Sequence, residues 1–131
     1  MGTSEFYAVV ESMPEIADSL VVDTGSLADA IGKMWLFVVL REGIELDQNL
    51  KKKLKDVLKT ALSPRHVPDH IRAIAAVPRT LNGKKLEVPV KRILLGEEPS
   101  KVASRDTLAN PAALDAIVEM VKKTDEANGI R

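Results

Sequence analysis

The chain has 131 residues, of which 45% are hydrophobic and only 3% aromatic, so it suits one ordinary domain with an aliphatic core. Its 19 basic and 19 acidic side chains cancel, which argues against a whole-protein field that gathers nucleic acid or anionic membrane. No cysteine is present, which excludes disulfides, thiolate zinc sites and cysteine nucleophiles. No apolar run approaches the roughly 20 residues that span a bilayer, and no secretion signal is apparent, so we expect a cytoplasmic location.

The first third of the chain predicts a helix followed by two strands. Apolar residues recur at helical spacing from Phe6 to Met13, and Pro14 ends that segment. Residues 16–22 are rich in β-branched and apolar side chains, which is typical of a strand. Residues 34–40 form a continuous apolar run, which predicts a strand covered on both faces.

The next segment, about 47–62, predicts an amphipathic helix that Ser63 and Pro64 end. Its apolar stripe is a series of leucines four residues apart: Leu46, Leu50, Leu54, Leu58 and Leu62. Its other faces carry Lys51, Lys52, Lys53, Lys55 and Lys59, and such a run is most often a solvated surface.

The rest of the chain predicts a strand over about 71–77, a turn at 80–83 and a short helix over about 88–94. A last helix opens at Pro111, with Asn110 as its N-cap. The order is therefore α-β-β-α-β-α-α. We predict the α+β class, a small three-stranded sheet with packed helices, in one domain over 1–131 with a helical tail extension over 96–131.

The most informative stretch is the turn that contains Asn82 and Gly83. An Asn-Gly pair between two segments is a tight-turn signal, because both residues tolerate positive φ. With no further context, such a turn is a hairpin tip whose lysines, here Lys84 and Lys85, point into water.

This turn also resembles a specific motif. Pro78, Thr80, Asn82, Gly83 and Lys84 fill, in register, the Pro-x-Thr-x-(Ser/Asn)-Gly-Lys loop of the AMP-forming acyl-CoA synthetase superfamily. The resemblance covers nearly the whole chain. The N-terminal Gly-Thr-Ser-Glu at 2–5 is similar to the segment just past the hinge between that family's two domains. Residues 63–69 and 84–91 are similar to the acetoacetyl-CoA synthetase branch.

The resemblance implies the mobile C-terminal domain of an acetoacetate–CoA ligase, whose substrates are acetoacetate, ATP and coenzyme A and whose products include AMP and pyrophosphate. It gives Lys84 the catalytic role in forming the acyl-adenylate, with Thr80, Asn82 and Gly83 supporting the loop. The expected partner is the large N-terminal domain of the same enzyme, which this sequence lacks. We therefore expect the chain alone to be folded but inactive. Mg²⁺ is expected in the full-length enzyme but not on this domain.

The resemblance also suggests a surface that binds coenzyme A, formed by Gly2, Thr3, Ser4 and Lys59. The plainer interpretation of the first three is an ordinary helix start, and that of Lys59 is a solvated lysine. His70 has no second histidine or carboxylate at ligand spacing, so we propose no metal site on it.

Three alternatives stay open from the sequence. The chain could belong to a synthetase for another short-chain acid, because acyl choice lies in the domain that is absent. It could be a free-standing interaction or regulatory module that uses the lysine turn as a recognition tip. Nucleic-acid binding through the lysine-rich helix is the third, and zero net charge and few aromatics argue against it.

Overall fold

The computed structural model describes residues 3–24 and 34–127, and the chain divides into two compact units, Met1–Ala75 and Ala76–Arg131. The helices and strands of the described residues are α1 (Thr3–Glu11), β1 (Ile16–Asp23), β2 (Met34–Leu40), α2 (Gln48–Ala61), β3 (His70–Ala73), α3 (Glu87–Leu94), α4 (Pro99–Val102) and α5 (Pro111–Ala127). The predicted order is confirmed, with α4 and two short 3₁₀ turns, Pro64–His66 and Arg105–Thr107, added to it.

The first unit contains a mixed three-stranded sheet in the order β1-β2-β3. β1 and β2 are antiparallel, with Val21 opposite Leu36, whereas β2 and β3 are parallel, with Leu36 opposite Ile71. Parallel strands need a crossover connection, and the segment containing α2 provides it. The predicted α+β class, a small sheet with packed helices, is confirmed.

The core of this unit forms where α1 and α2 pack on one face of the sheet. The leucine stripe of α2 supplies Leu50, Leu54 and Leu58, all buried. Asp47 begins the helix as its N-cap, and its Oδ1 accepts a hydrogen bond of 2.8 Å from the backbone N–H of Leu50. The other buried members of this core are Phe6, Val10, Met13, Ile16, Val21, Leu36, Val38 and Ile71.

The predictions for the second and third strands fare differently. In β2 the four residues from Trp35 to Val38 are all buried, so the prediction of a strand covered on both faces is confirmed. The predicted end of β3 at residue 77 is wrong, because the strand ends at Ala73. The register pairs Val38 with Ala73, and β2 ends at Leu40, so β2 offers no partner beyond residue 75.

Side chains of α1 bind the outer edge of β1. The Tyr7 hydroxyl accepts a hydrogen bond of 3.0 Å from the backbone N–H of Val21. The hydroxyl of Ser19, which is fully buried, donates to Glu11 Oε2 at 2.6 Å. Buried polar groups need such partners, and an edge strand needs cover against pairing with other chains. These bonds therefore anchor α1 along β1.

The second unit is built on contacts of α3 with α4 and α5. Its buried apolar side chains include Val90 and Ile93 of α3 and Leu114, Ile117 and Val121 of α5. The segment before α3 forms a short hairpin, in which Arg79 pairs antiparallel with Lys85.

In the described part of the chain, no helix has both the length and the apolar character needed to cross a membrane.

Candidate functional site: the lysine loop

The candidate site is the hairpin of residues 78–85, which we call the lysine loop. The N–H of Gly83 donates to the carbonyl of Thr80 at 2.9 Å and so closes a four-residue turn. The N–H of Thr80 donates to the carbonyl of Lys84, also at 2.9 Å. Lys84 therefore follows the tip directly and is bonded through its backbone to the opposite arm.

Only one of the two turn residues has a positive φ. Gly83 has φ +85°, whereas Leu81 and Asn82 do not have positive φ, so of the two residues that tolerate a positive φ only Gly83 adopts it. Negative φ at both central positions leaves a type I turn, followed by a left-handed glycine that forms a G1 bulge. A glycine is favoured here because an L side chain is strained at this φ.

Two side chains tie the arms of the loop together. Thr80 Oγ1 accepts a hydrogen bond from the N–H of Lys84 at 3.1 Å. Arg79 Nη1 donates to the carbonyl of Gly83 at 2.9 Å. Asn82 is exposed, and its side chain has no hydrogen-bond partner among the described residues, so its contribution is its place in the turn. The backbone on both sides of Lys84 is thus held.

A segment distant in sequence, residues 104–110, lies beside the loop. The N–H of Leu81 donates to the carbonyl of Thr107 at 3.0 Å, and the N–H of Ala109 donates to the carbonyl of Arg79 at 2.9 Å. Thr80 and Leu108 form the antiparallel bridge between these bonds. The first arm of the loop, residues 79–81, is therefore the middle of three short backbone segments, and the hairpin is not free.

Asn110 completes this arrangement, and the sequence did not indicate that role. It precedes α5 as predicted, but its side chain bonds the root of the loop. Oδ1 accepts from the N–H of Arg79 at 2.9 Å, and Nδ2 donates to the carbonyl of Val77 at 2.9 Å. The Asn-Pro pair at 110–111 signals a helix start and holds no sign of a partner some thirty residues earlier.

The side chain of Lys84 is exposed at the end of this scaffold. Its ammonium forms no hydrogen bond or ion pair with any of the described residues. A lysine ammonium is a compact charge with three donors, and it can contact two anionic oxygens at once. The structure therefore presents an available cation on an ordered loop.

The other residues singled out in the sequence lie in the first unit. Gly2 lies outside the described residues, Thr3 begins α1, and Ser4 is exposed in the first turn of that helix. Lys59 is exposed in the last turn of α2. Within the part of the chain that is described, no hydrogen bond or ion pair engages the side chains of Ser4 and Lys59. That Gly2, Thr3, Ser4 and Lys59 bind coenzyme A stays a prediction.

The remaining lysines of α2 fit the plain interpretation of a solvated face. Lys52 and Lys55 are exposed, and Lys53 Nζ lies 2.6 Å from Glu15 Oε2. The hydrogen bond from Lys53 lowers the pKa of the Glu15 carboxyl below its usual range. Across residues 3–24 and 34–127, no group of three or more histidine and carboxylate side chains could hold a metal ion.

Comparison with known proteins gives a consistent result. The family described as the AMP-binding enzyme C-terminal domain matches residues 6–84. The acetoacetyl-coenzyme A synthetase of Rhizobium meliloti is 39% identical over 115 residues, which cover 88% of this chain and 17% of that protein. The acetoacetyl-CoA synthetase of Gallus gallus is 39% identical over 114 residues, covering 87% of this chain and 16% of that protein.

Solved structures agree with this. The acetoacetyl-CoA synthetase from Streptomyces lividans superimposes with a TM-score of 0.83 at 38% identity, over 95% of this chain and 18% of that one. An amide bond synthetase from Marinactinospora thermotolerans, 21% identical with a TM-score of 0.60 over 70% of this chain, shares the fold alone. This chain belongs to the AMP-binding enzyme C-terminal domain family. It spans about a sixth of the length of the curated relatives it matches.

Proposed function

We propose that this chain acts as the C-terminal domain of an AMP-forming acetoacetate–CoA ligase and supplies the lysine that promotes adenylation. Residues 1–131 would be one functional domain with 96–131 as its helical extension, and its partner would be a large N-terminal domain. The single observation that carries the proposal is the exposed ammonium of Lys84, which has no partner in the described residues and follows a braced turn. The family match and the acetoacetyl-CoA synthetase relatives support the choice of reaction.

The chemistry explains why a cation is needed there. In adenylation the acetoacetate carboxylate attacks the α-phosphorus of ATP, a new C–O–P bond forms, and pyrophosphate leaves. Two anions must approach each other, and their repulsion is strong where water is excluded. An ammonium that contacts the carboxylate and an α-phosphate oxygen neutralises this repulsion and orients the attacking oxygen. Lys84 would do this, and it would take no part in bond making itself.

The loop residues would keep that ammonium in place. Thr80 would hold the N–H of Lys84, and Gly83 would allow the left-handed step that turns the chain immediately before it. Asn82 would occupy the turn position before the glycine. A charge on such a hairpin can enter a cleft of a larger domain without carrying bulky structure with it.

The second half-reaction transfers the acetoacetyl group to the thiol of coenzyme A and releases AMP. Gly2, Thr3, Ser4 and Lys59 would contact coenzyme A, with Lys59 facing a phosphate as a point charge rather than a bidentate fork. We expect Mg²⁺ to be held by the phosphates of ATP and by the partner domain, and no step on this chain depends on it.

The test joins this chain to the large domain of the Rhizobium meliloti relative in place of that protein's own C-terminal domain. Adenylation is measured as acetoacetate-dependent pyrophosphate release, and thioester formation is measured separately from supplied acetoacetyl-adenylate. We expect Lys84→Ala to lower adenylation by about 100-fold or more, as the removal of one electrostatic contact to a transition state does. Thioester formation should change far less.

Lys85→Ala is the matched control, because it removes the same charge one residue away. It should leave adenylation near that of the unsubstituted hybrid. A hybrid that is inactive beside an active parent enzyme would contradict the proposal and favour an interaction module. The hybrid should keep the acyl preference of the parent enzyme, because we expect acyl choice to lie in the large domain. A changed preference would assign part of that choice to this chain and leave the role of Lys84 unchanged.

A further inference from the structure

Asn110 makes two hydrogen bonds of opposite sense to the backbone around Pro78. Its Oδ1 accepts from the N–H of Arg79, and its Nδ2 donates to the carbonyl of Val77, both at 2.9 Å. Pro78 is fully buried between these two bonds. A side-chain amide carries an acceptor oxygen and a donor nitrogen on separate atoms, so it can satisfy a backbone donor and a backbone acceptor together. The root of the lysine loop is therefore clamped from outside the hairpin.

The clamp is linked to the loop tip through Arg79. The backbone of Arg79 is held on both sides, since its N–H donates to Asn110 and its carbonyl accepts from Ala109. Its guanidinium then donates to the carbonyl of Gly83, the residue before Lys84. A continuous series of bonds thus runs from Asn110 through Arg79 to the peptide group that precedes the lysine.

We propose that Asn110 is a positioning residue for Lys84, so that the segment entering α5 sets the geometry of adenylation through the Asn110–Arg79–Gly83 contacts. The inference rests on the proposed function of Lys84 and adds to it a residue outside the loop motif. Asn110 touches neither substrate nor reacting atoms. Its effect is on where the ammonium lies.

The expected size of the effect follows from the sensitivity of such reactions to position. A displacement of about 1 Å in a group that orients reactants can cost about 100-fold in rate. Loss of Asn110 removes two hydrogen bonds from the loop root but leaves the Thr80 and Gly83 turn bonds in place. We therefore expect an adenylation rate about 10- to 100-fold lower in Asn110→Ala, with thioester formation from supplied adenylate within about threefold of the parent.

Asn110→Asp separates this role from helix capping. Aspartate is as good an N-cap as asparagine, and it can still accept from the N–H of Arg79. It cannot donate to Val77, and it places a carboxylate oxygen against that carbonyl instead. If Asn110 only capped α5, Asn110→Asp would leave adenylation unchanged. If its amide also holds the root of the lysine loop, the same substitution should lower adenylation. We expect Asn110→Asp to lose adenylation as Asn110→Ala does.

The first measurement uses the 131-residue chain and needs no activity. Amide hydrogen exchange of Arg79 and Gly83 should quicken about tenfold in Asn110→Ala, the equivalent of about one lost hydrogen bond. Glu97→Gln is the control, because it breaks an exposed ion pair with Arg92 in the same unit, away from the loop. It should leave both amides unchanged. Unaltered exchange at Gly83 in Asn110→Ala would overturn the clamp.

The second measurement follows both half-reactions in the hybrid enzyme, with Lys84→Ala run beside the Asn110 variants. Adenylation that falls in Asn110→Ala and Asn110→Asp, with thioester formation preserved, supports positioning. Equal losses in both half-reactions, or a normal rate in Asn110→Asp, would overturn it. If Lys84→Ala fails to lower adenylation, the proposed function is wrong. If Lys84→Ala lowers it and Asn110→Ala does not, the positioning role alone is wrong.

Discussion

Replacing Gly83 by alanine separates backbone strain in the lysine loop from every contact made by side chains. Gly83 has φ +85°, and a Cβ added there would meet no atom within 4 Å. The substitution therefore introduces no clash with the surroundings. Its cost is the strain of an L residue in the left-handed region.

Two opposing terms set the change in the free energy of unfolding that Gly83→Ala causes. An L residue in the left-handed conformation costs about 1–2 kcal/mol, whereas the stiffer unfolded chain returns about 0.4–1 kcal/mol. We expect a net destabilisation of about 1 kcal/mol, which corresponds to a melting midpoint about 4 °C lower for a chain of this size. The same energy changes the equilibrium constant between the native turn and a relaxed one by about fivefold, so adenylation in the hybrid enzyme should fall by at most about fivefold.

Gly96→Ala is a close control for Gly83→Ala. Gly96 lies in the same unit at φ +99°, and a Cβ added there would also meet nothing within 4 Å. It follows the C-terminal end of α3 and is not part of the lysine loop. Thermal unfolding of the two variants should show similar losses, and only Gly83→Ala should slow adenylation. Gly83→Asn should be milder than alanine in both assays, because asparagine enters the left-handed region more readily.

Two results would refute this reasoning. An unchanged melting midpoint in Gly83→Ala would mean that the left-handed φ is not imposed by the loop. Equal slowing of adenylation by Gly83→Ala and Gly96→Ala would mean that general stability, and not the geometry beside Lys84, limits the reaction.

Two further predictions concern the first unit and the surface. Asp47→Ala should destabilise the protein by about 1 kcal/mol in chemical denaturation, because the N-cap bond to Leu50 is lost, and Asp47→Asn should restore most of it. Hydrogen bonds from basic partners lower the pKa of Glu15, Glu97 and Asp115, so these groups stabilise the fold at pH values above their ordinary carboxyl pKa. That stabilisation should be lost as the pH falls through the lowered pKa values of these carboxyl groups. Glu97→Gln should therefore make the melting midpoint less dependent on acid pH. A pH profile identical to that of the parent would contradict the stabilising role of Glu97.

Local sequence patterns determined most of the elements. The leucines four apart in α2 and the apolar run of β2 specify their structures through periodicity and composition, which need no distant partner. The turn at Asn82 and Gly83 was also predictable, because positive φ strongly favours glycine. The proposed catalytic role of Lys84 rests on the motif resemblance, since the turn alone would have indicated a solvated side chain.

Tertiary structure decided the features that depend on a partner elsewhere in the chain. β3 ends at Ala73 and could not have reached residue 77, because β2 ends at Leu40 and offers no partner beyond residue 75, a limit that residues 71–77 do not encode. Asn110 is typical of a helix start because Pro111 follows it, yet its side-chain amide bonds Val77 and Arg79, 33 and 31 residues away. A hydrogen bond between distant residues leaves no periodic trace in the sequence. The support of the lysine loop could therefore be found only once the chain was folded.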